Sequence, residues 1–207
     1  MIEVLPDFLP RFFAGLAVNV EIAMLSLLVG LAAGLPLAVM LCAGPLAAGP
    51  AAAVVGLLRA APTFVVMFFL LNAVPREYAA TLGFLGDWSM TAVILSQAVY
   101  AVSYVADNGQ VALRALRARD GATAVLFLPN LARAFCVLLM SSGVAAAVGT
   151  PEAIFTTIRE AERMPALADR VALFLLVMLF FAVTMQAAFA LINRLRFRLA
   201  RALAPRG

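Results

Sequence analysis

Long apolar runs alternate with short polar segments along this chain. A bilayer is crossed by a helix of roughly 20 apolar residues, and most of the runs reach or exceed that length. The polar segments between them are too short to fold as separate domains. The pattern therefore predicts an all-α integral membrane protein, with one domain over residues 1–207 and about five transmembrane helices. The predicted spans are 15–43, 51–73, 90–105, 123–148 and 171–192.

Small residues and prolines modify this simple pattern. Gly30 and Gly34 form a small-xxx-small pair, which predicts the close approach of another helix. Pro62 removes a backbone hydrogen bond and predicts a bend in the second span. Leu128-Pro129-Asn130 interrupts the fourth span. It predicts a kinked or re-entrant start, followed by a true crossing from Ala134.

Polar residues inside the spans are candidates for function. Asn19 and Glu21 are interpreted as an interfacial pair, with a buried functional carboxylate as the alternative. Arg59 must extend to the membrane edge or find a partner. A polar translocation path is a further hypothesis, while helix–helix hydrogen bonds and helix packing near the cytoplasmic face are the commoner uses of such side chains. The path candidates are Arg59, Pro62, Gln97, Tyr100 and Ser103.

A mixed-charge segment follows the fourth span. It begins at Gly149-Thr150-Pro151-Glu152 and is predicted to be an amphipathic helix, with Pro151 in its first turn. Glu152 either favours the helix dipole or meets an external protein. The apolar residues of this helix are expected to share one face: Ile154, Phe155 and Ile158.

Composition agrees with a membrane protein. The sequence is 65% hydrophobic and 13% charged, against about 25% charged in soluble domains. All fifteen basic residues are arginine, and they cluster at span ends, so they indicate membrane topology and not nucleic-acid binding. Cys42 and Cys136 lie in apolar runs without histidine nearby, and no metal site or other cofactor is expected in this chain.

The arginines also predict an orientation. The loop with Arg114, Arg117 and Arg119 and the arginine-rich C-terminal tail are poor in acidic residues, so both are expected to be cytoplasmic. Segments 75–89 and 150–169 have balanced charge and are expected outside. Five spans then place the N-terminus outside, in the periplasm. The tail arginines are Arg194, Arg196, Arg198, Arg201 and Arg206.

The segment between the third and fourth spans has break signals at Asp107-Asn108-Gly109 and Asp120-Gly121. They predict a short helix over Gln110 to Arg119, capped by Asp107 or Asn108 and ended by Gly121. Its leucines and arginines form an apolar and a basic edge, because each pair is three residues apart. The edges are formed by Leu113 and Leu116 and by Arg114 and Arg117.

Five short motifs occur in order over roughly the whole chain. They are the series Gly15, Asn19, Ser26, Gly30 and Gly34; Arg59-Ala60-Ala61-Pro62; Ser103-Tyr104-Val105-Ala106-Asp107; Leu128-Pro129-Asn130-Leu131-Ala132-Arg133; and Val148-Gly149-Thr150-Pro151-Glu152. Each resembles a motif of the permease subunits of polar amino-acid ABC importers. The family forms are G-x-x-x-T with Ser and G-x-x-x-G, R-G-T-P, A-Y-x-A-E, L-P-Q-A-x-R and V-I-G-x-P-E.

The resemblance implies a type I ABC importer permease in a bacterial inner membrane. Its expected partners are ABC ATPase subunits that carry ATP and Mg, a second and non-identical permease subunit, an external solute-binding protein, and the lipid bilayer. The chain is not expected to be an enzyme, because it has no lysine and so no Walker-type phosphate loop. The resemblance makes residues 107–121 the ATPase-coupling segment, with these residues in contact: Asp107, Gly109, Gln110, Leu113, Arg114, Leu116, Arg117, Leu128 and Pro129.

Departures from the family pattern leave other interpretations open. Gly109-Gln110 matches the start of the family's cytoplasmic loop, but no E-A-A follows, and the loop is shorter. Met140 and Ser141 replace the Lys-Asp of the K-D-S-S segment. The chain is therefore interpreted as the more divergent half of a heteromeric pair. A lipid-bound amphipathic helix is the alternative for the loop. A scaffold or regulatory subunit is the alternative for the protein, and an ATP-independent carrier is a weaker one because few ionisable residues lie in the spans.

Overall fold

The computed structural model describes residues 5–75, 77–78, 81 and 87–203, and within them the chain is almost entirely helical. The prediction of an all-α architecture is confirmed. Eight of the fifteen residues of segment 75–89 lie outside the described residues, and so does Arg206. The helices are α1 (Leu5–Leu41), α2 (Pro45–Ala60), α3 (Thr63–Ala73), α4 (Trp88–Arg117), α5 (Gly121–Val125), α6 (Phe127–Ser141), a 3₁₀ helix (Ser142–Val148), α7 (Ala153–Arg163) and α8 (Leu167–Leu203).

Four helical segments of the described chain are long and apolar enough to cross a membrane, and a fifth span results if the bent pair α2–α3 is counted as one. This agrees with the predicted number of about five. The four are α1, α4, the segment Gly121–Val148 and α8 over Leu167–Leu199. The chain is thus a multi-pass membrane protein. α1 begins ten residues before the predicted span 15–43, and α8 extends beyond 171–192 at both ends.

α1 and α4 form the central pair of the fold, and α1 packs along much of α4. A Cβ atom added to Gly30 would lie 2.5 Å from the Cβ of Ala101, and one added to Gly34 would lie 2.7 Å from the Cβ of Val105. The small-xxx-small pair therefore lets two backbones approach, as predicted. Gly15 serves the same purpose against the start of α7, where an added Cβ would meet the amide nitrogen of Ala153 at 2.7 Å.

The second predicted span is broken into two helices. α2 and α3 meet at an angle of 93°, with Ala61 and Pro62 between them. Pro62 has no amide hydrogen to continue the helix, and it holds the preceding residue in an extended conformation. Ala61 accordingly has a ψ of 120°. The prediction of a bend at Pro62 is confirmed, and the predicted span 51–73 consists of two helices and not of one continuous helix.

α4 is longer than predicted. The third span was expected over 90–105, followed by a separate coupling helix, but α4 continues without a break to Arg117. Asp107-Asn108-Gly109 lies inside it because tertiary contacts hold all three residues. Gly109 packs against Ala38 of α1, where an added Cβ would be 2.9 Å from the Ala38 Cβ. Local sequence preferences for ending a helix are weak, and packing between helices overrides them here.

The turn after α4 corrects the predicted end of the coupling helix. Arg119 has a φ of 60° and reverses the chain. The Asp120 carboxylate accepts a hydrogen bond from the Thr123 amide, and hydrogen bonding to Thr123 lowers the pKa of Asp120. Asp120 thus caps α5, and Gly121 begins that helix instead of ending the one before it.

The fourth span is interrupted, but at Leu126. α5 ends there and α6 begins at Phe127. Pro129 lies in the first turn of α6, where its missing amide hydrogen costs no helical bond. α6 then runs through Arg133 without a new start at Ala134, so the kink precedes the helix and the crossing from Ala134 stays a prediction.

α7 is the predicted amphipathic helix, with two differences. Glu152 is its N-cap, so Pro151 precedes the helix and does not lie in its first turn. Its buried residues are Ala153, Thr157, Glu160 and Ala161, whereas Ile158 is 38% exposed. The predicted packing face of Ile154, Phe155 and Ile158 is therefore only partly covered, because small residues are needed where α1 approaches.

Candidate functional site

A cavity of about 420 Å³ lies at the bend between α2 and α3 and faces the middle of α4. α2 and the bend contribute one wall and α4 the other. Four of its lining residues are polar or charged side chains spaced along one side of α4. The lining residues are Leu58, Arg59, Ala61, Thr63, Tyr100, Ser103, Tyr104 and Asp107.

Arg59 and Asp107 form the charged part of this cavity. Nη2 of Arg59 lies 2.6 Å from Oδ2 of Asp107 and 2.8 Å from Oδ1. The two side chains are 62% and 42% exposed. An ion pair with this exposure typically contributes only about 0–1 kcal/mol to stability. The pair therefore places one positive and one negative group in the cavity, and it contributes little to the stability of the fold.

Tyr100 and Tyr104 form the aromatic part of the cavity. They are one turn apart on α4, and their ring centroids lie 5.6 Å from each other at an interplanar angle of 37°. Ser103 donates its hydroxyl hydrogen to the carbonyl of Tyr100 at 2.9 Å. Its lone pairs remain available as acceptors.

The cavity brings together three of the five path candidates: Arg59, Tyr100 and Ser103. Pro62 lies between two lining residues and sets the bend that creates the cavity. Gln97 is elsewhere: it is 2% exposed, and neither polar atom of its amide has a hydrogen-bond partner among the described residues. The expectation that Gln97 bonds to another helix finds no support there. The structure offers no physical account of this buried amide.

Asp107, which was expected to contact an ATPase, instead lies in this cavity within the chain and pairs with Arg59; its contact with an ATPase stays a prediction. Arg59 was predicted to need a partner, and that partner is Asp107, a residue assigned from the sequence to the coupling segment. The two lie 48 residues apart, so only the packing of α2 on α4 reveals their contact.

Two further coupling candidates form hydrogen bonds to other residues of this chain. Nε2 of Gln110 donates to the Leu41 carbonyl at 3.1 Å, and Nη1 of Arg117 donates to the Cys42 carbonyl at 2.7 Å. These carbonyls end α1, where the helix leaves its last acceptors unpaired. Gln110 and Arg117 therefore cap α1 from α4. We call this arrangement the α1 cap.

The remaining coupling candidates divide by exposure. Gly109 and Pro129 are buried and Leu113 is partly buried. Arg114 is exposed, Leu116 is 59% exposed and Leu128 is 59% exposed. Of the coupling candidates outside the α1 cap, Arg114 and Leu116 are thus exposed near the tip of the α4–α5 hairpin, and Leu128 is exposed on α6.

A buried polar centre joins α1, the 3₁₀ helix and α7. Nδ2 of Asn19 donates to Oγ of Ser142 and to Oε2 of Glu152, both at 2.8 Å. Oδ1 of Asn19 accepts from the Ala153 amide at 3.0 Å. Asn19 and Glu152 are 1% and 0% exposed, while Glu21 is exposed. The predicted interfacial pair of Asn19 and Glu21 is therefore wrong.

Glu152 caps α7 from inside this centre. Its carboxylate accepts from the amides of Ile154 at 2.9 Å and Phe155 at 2.7 Å, which also places negative charge at the positive end of the helix dipole. Burial nevertheless raises the pKa of Glu152, because desolvation outweighs the hydrogen bonds that favour the charged form. Glu152 was predicted either to favour the helix dipole or to meet an external protein, and the geometry agrees with the first role.

Sequence comparison identifies no relative of this chain: no protein-family model matches it, and no curated protein does. Comparison with solved structures finds similar folds. The fold is similar to a chain of a crystal structure of an amino acid ABC transporter with histidines, with a TM-score of 0.74 and 18% identity over 96% of this chain and 98% of that one. This chain has an ABC transporter permease fold.

A second structure agrees with that conclusion. The inward-facing MetNI methionine ABC transporter is similar with a TM-score of 0.58 and 18% identity, over 96% of this chain and 99% of the other. Both similarities cover nearly complete chains on each side. The predicted resemblance to a type I importer permease is therefore confirmed at the level of the fold.

Proposed function

We propose that this chain is the transmembrane subunit of an ATP-driven importer for polar amino acids, in the inner membrane of a bacterium. The observation that carries the proposal is the similarity over 96% of the chain to an amino acid ABC transporter. The motif order in the sequence supports the same function. The mixed charged and aromatic lining at the α2–α3 bend is of the kind that a polar solute needs for passage.

The proposed complex contains this chain, a second and non-identical permease subunit, ABC ATPase subunits and an external solute-binding protein. ATP and Mg are expected on the ATPase subunits, because the sequence has no lysine with which to build a phosphate loop. Alternating access would then arise from rocking of the spans as the ATPases close.

Reconstitution tests this function. The complex is purified from native membranes through a tag on this chain and placed in proteoliposomes with ATP inside and single radiolabelled amino acids outside. ATP-dependent accumulation of a polar amino acid is expected, together with its loss when the phosphate-loop lysine of the ATPase subunit is replaced. Accumulation that persists without ATP would contradict the proposal.

A non-transporting scaffold or regulatory subunit is the second candidate. The observation that favours it is the hairpin tip, where α4 runs unbroken and the α1 cap uses two residues expected to meet an ATPase. If the chain couples to an ATPase, Leu116→Glu should reduce ATPase co-purification and Leu113→Glu should do so less, since Leu113 is partly buried. Leu46→Glu, at a position 93% exposed in α2, is the control. Undiminished recovery and ATPase stimulation with both hairpin variants would favour the scaffold.

A further inference from the structure

The Arg59–Asp107 pair leaves most of its hydrogen-bonding capacity unused. A guanidinium has five N–H donors, and a carboxylate accepts at about four lone-pair positions. Both contacts of the pair arise from one nitrogen, Nη2. Nε and Nη1 of Arg59 have no other partner among the described residues, and the exposure of both side chains makes them accessible from the cavity.

The pair matches the backbone of a free amino acid in size. From standard bond lengths, the ammonium nitrogen and the nearer carboxylate oxygen of an α-amino acid lie roughly 2.7 Å apart. The charged atoms of the pair lie 2.6 and 2.8 Å apart. A zwitterion can therefore lie antiparallel beside the pair, with its carboxylate on the free guanidinium nitrogens and its ammonium on the carboxylate oxygens.

The same pair discriminates against ligands with a single charge. An anion that approaches Arg59 meets Asp107 within hydrogen-bond distance, and a cation that approaches Asp107 meets Arg59. Each simple ion thus gains one attraction and one repulsion, whereas an antiparallel zwitterion gains two short-range attractions against two longer-range repulsions. Tyr100 and Tyr104 add aromatic faces that attract an ammonium group. A cavity of about 420 Å³ lies within the usual range for small-molecule sites.

We propose that the cavity at the α2–α3 bend binds the ammonium and carboxylate groups of a zwitterionic amino acid, with Arg59 on the carboxylate and Asp107 on the ammonium. This site rests on the proposed function and deepens it. The amino-acid side chain then points along the tyrosine wall, towards Thr63 and Ser103. Because all α-amino acids carry these ammonium and carboxylate groups, the site should accept amino acids with different side chains.

The test measures binding of the polar L-amino acid that the wild type accumulates to the purified complex without its solute-binding protein, so that competition at that protein does not contribute. Competitors are its decarboxylated amine and its deaminated acid. Arg59→Gln should weaken inhibition by the amino acid and by the acid roughly tenfold to hundredfold, because a charge-assisted hydrogen bond is lost. Inhibition by the amine should be unchanged or stronger. Asp107→Asn should give the reverse pattern. Arg198→Gln, on the exposed end of α8, is the matched control.

The double variant with Arg59→Asp and Asp107→Arg separates binding from a structural role. It restores the ion pair but inverts the two charges against the tyrosine wall, so it should remain impaired. Wild-type binding by this variant, or equal effects of each single variant on all three competitors, would overturn the site and leave the proposed function standing. A wild-type complex that accumulates no polar amino acid would instead contradict the proposed function itself.

Discussion

Asp107 and Glu152 are carboxylates in opposite environments. Asp107 is partly exposed and its charge is matched by Arg59, so it remains available to a ligand. Glu152 has no exposed surface and is surrounded by hydrogen-bond donors of its own chain. Its carboxylate therefore links α1 to the start of α7. The first has the properties of a binding group, and the second those of a structural one.

The buried position of Glu152 predicts a pH dependence of stability. Its pKa in the folded protein is raised above the ordinary value of 4.5, so the folded state holds the proton over a pH range in which the unfolded state has released it. The free energy of unfolding should therefore fall as the pH rises from about 4.5 through the raised pKa, and then remain constant. Denaturation in mixed micelles at a series of pH values measures this.

Glu152→Gln should remove that slope and, at alkaline pH, destabilise the protein by roughly 1–3 kcal/mol, because one buried donor loses its acceptor. Glu162→Gln is the control on the same helix, since Glu162 is 59% exposed. A wild-type slope that survives in the Glu152 variant would assign the pH dependence to another group.

At the scale of single residues, the sequence indicates which side chains are unusual but not which ones meet. Arg59 was predicted to need a partner, and Tyr100 and Ser103 to share a polar path. Asp107 was expected to cap a separate helix and Asn19 to pair with Glu21, but each bonds to a residue far away in the sequence. Their positions depend on which helices pack together, and that is a property of the whole fold.

At the scale of helices, close approach decides the arrangement. The glycines of α1 leave room for α4, and the same contact holds Gly109 inside a continuous helix. This explains why the apolar runs and the bend at Pro62 were predictable, while the end of α4 was not. A break signal favours ending the helix only at its own position, whereas contacts between α1 and α4 along both helices favour continuing α4.

Gly30→Ala should destabilise the protein by about 1–3 kcal/mol, because the new methyl group overlaps Ala101 and forces the helices apart. Gly56→Ala, in α2, meets no atom within 4 Å and should stabilise by up to about 1 kcal/mol through helix propensity. Unfolding in mixed micelles compares the two. An equal effect at both positions would argue against the close α1–α4 contact.

The α1 cap predicts a local change in dynamics. Replacing Gln110 and Arg117 by alanine leaves the last carbonyls of α1 without these donors, so the final turn of α1 and residues 41–43 should exchange amide hydrogen faster. Hydrogen–deuterium exchange by mass spectrometry measures this. Arg114→Ala, on the same helix and with no hydrogen bond to α1 among the described residues, should leave the exchange unchanged. Equal rates in all variants would show that the cap does not hold the turn.

At the scale of the molecule, the fold was predictable because five ordered motifs and the apolar runs constrain it together. The orientation remains a prediction from the arginines. In a background without Cys42 and Cys136, a cysteine at Arg198 should react with an impermeant reagent only from the cytoplasmic side. A cysteine at Ala166, between α7 and α8, should react only from outside. Both positions are exposed, and the opposite labelling pattern would invert the topology.

The contact between Gly30 and Ala101 also has a consequence for biogenesis. The two residues are 71 positions apart (101 − 30), and at the usual rate of synthesis this separation takes roughly 4–14 s. During that time α1 resides in the membrane with its glycine face uncovered, and lipid or the insertion machinery must cover it until α4 emerges. Chains arrested before residue 101 should therefore crosslink from Gly30 to the insertion machinery, and longer chains should crosslink to α4.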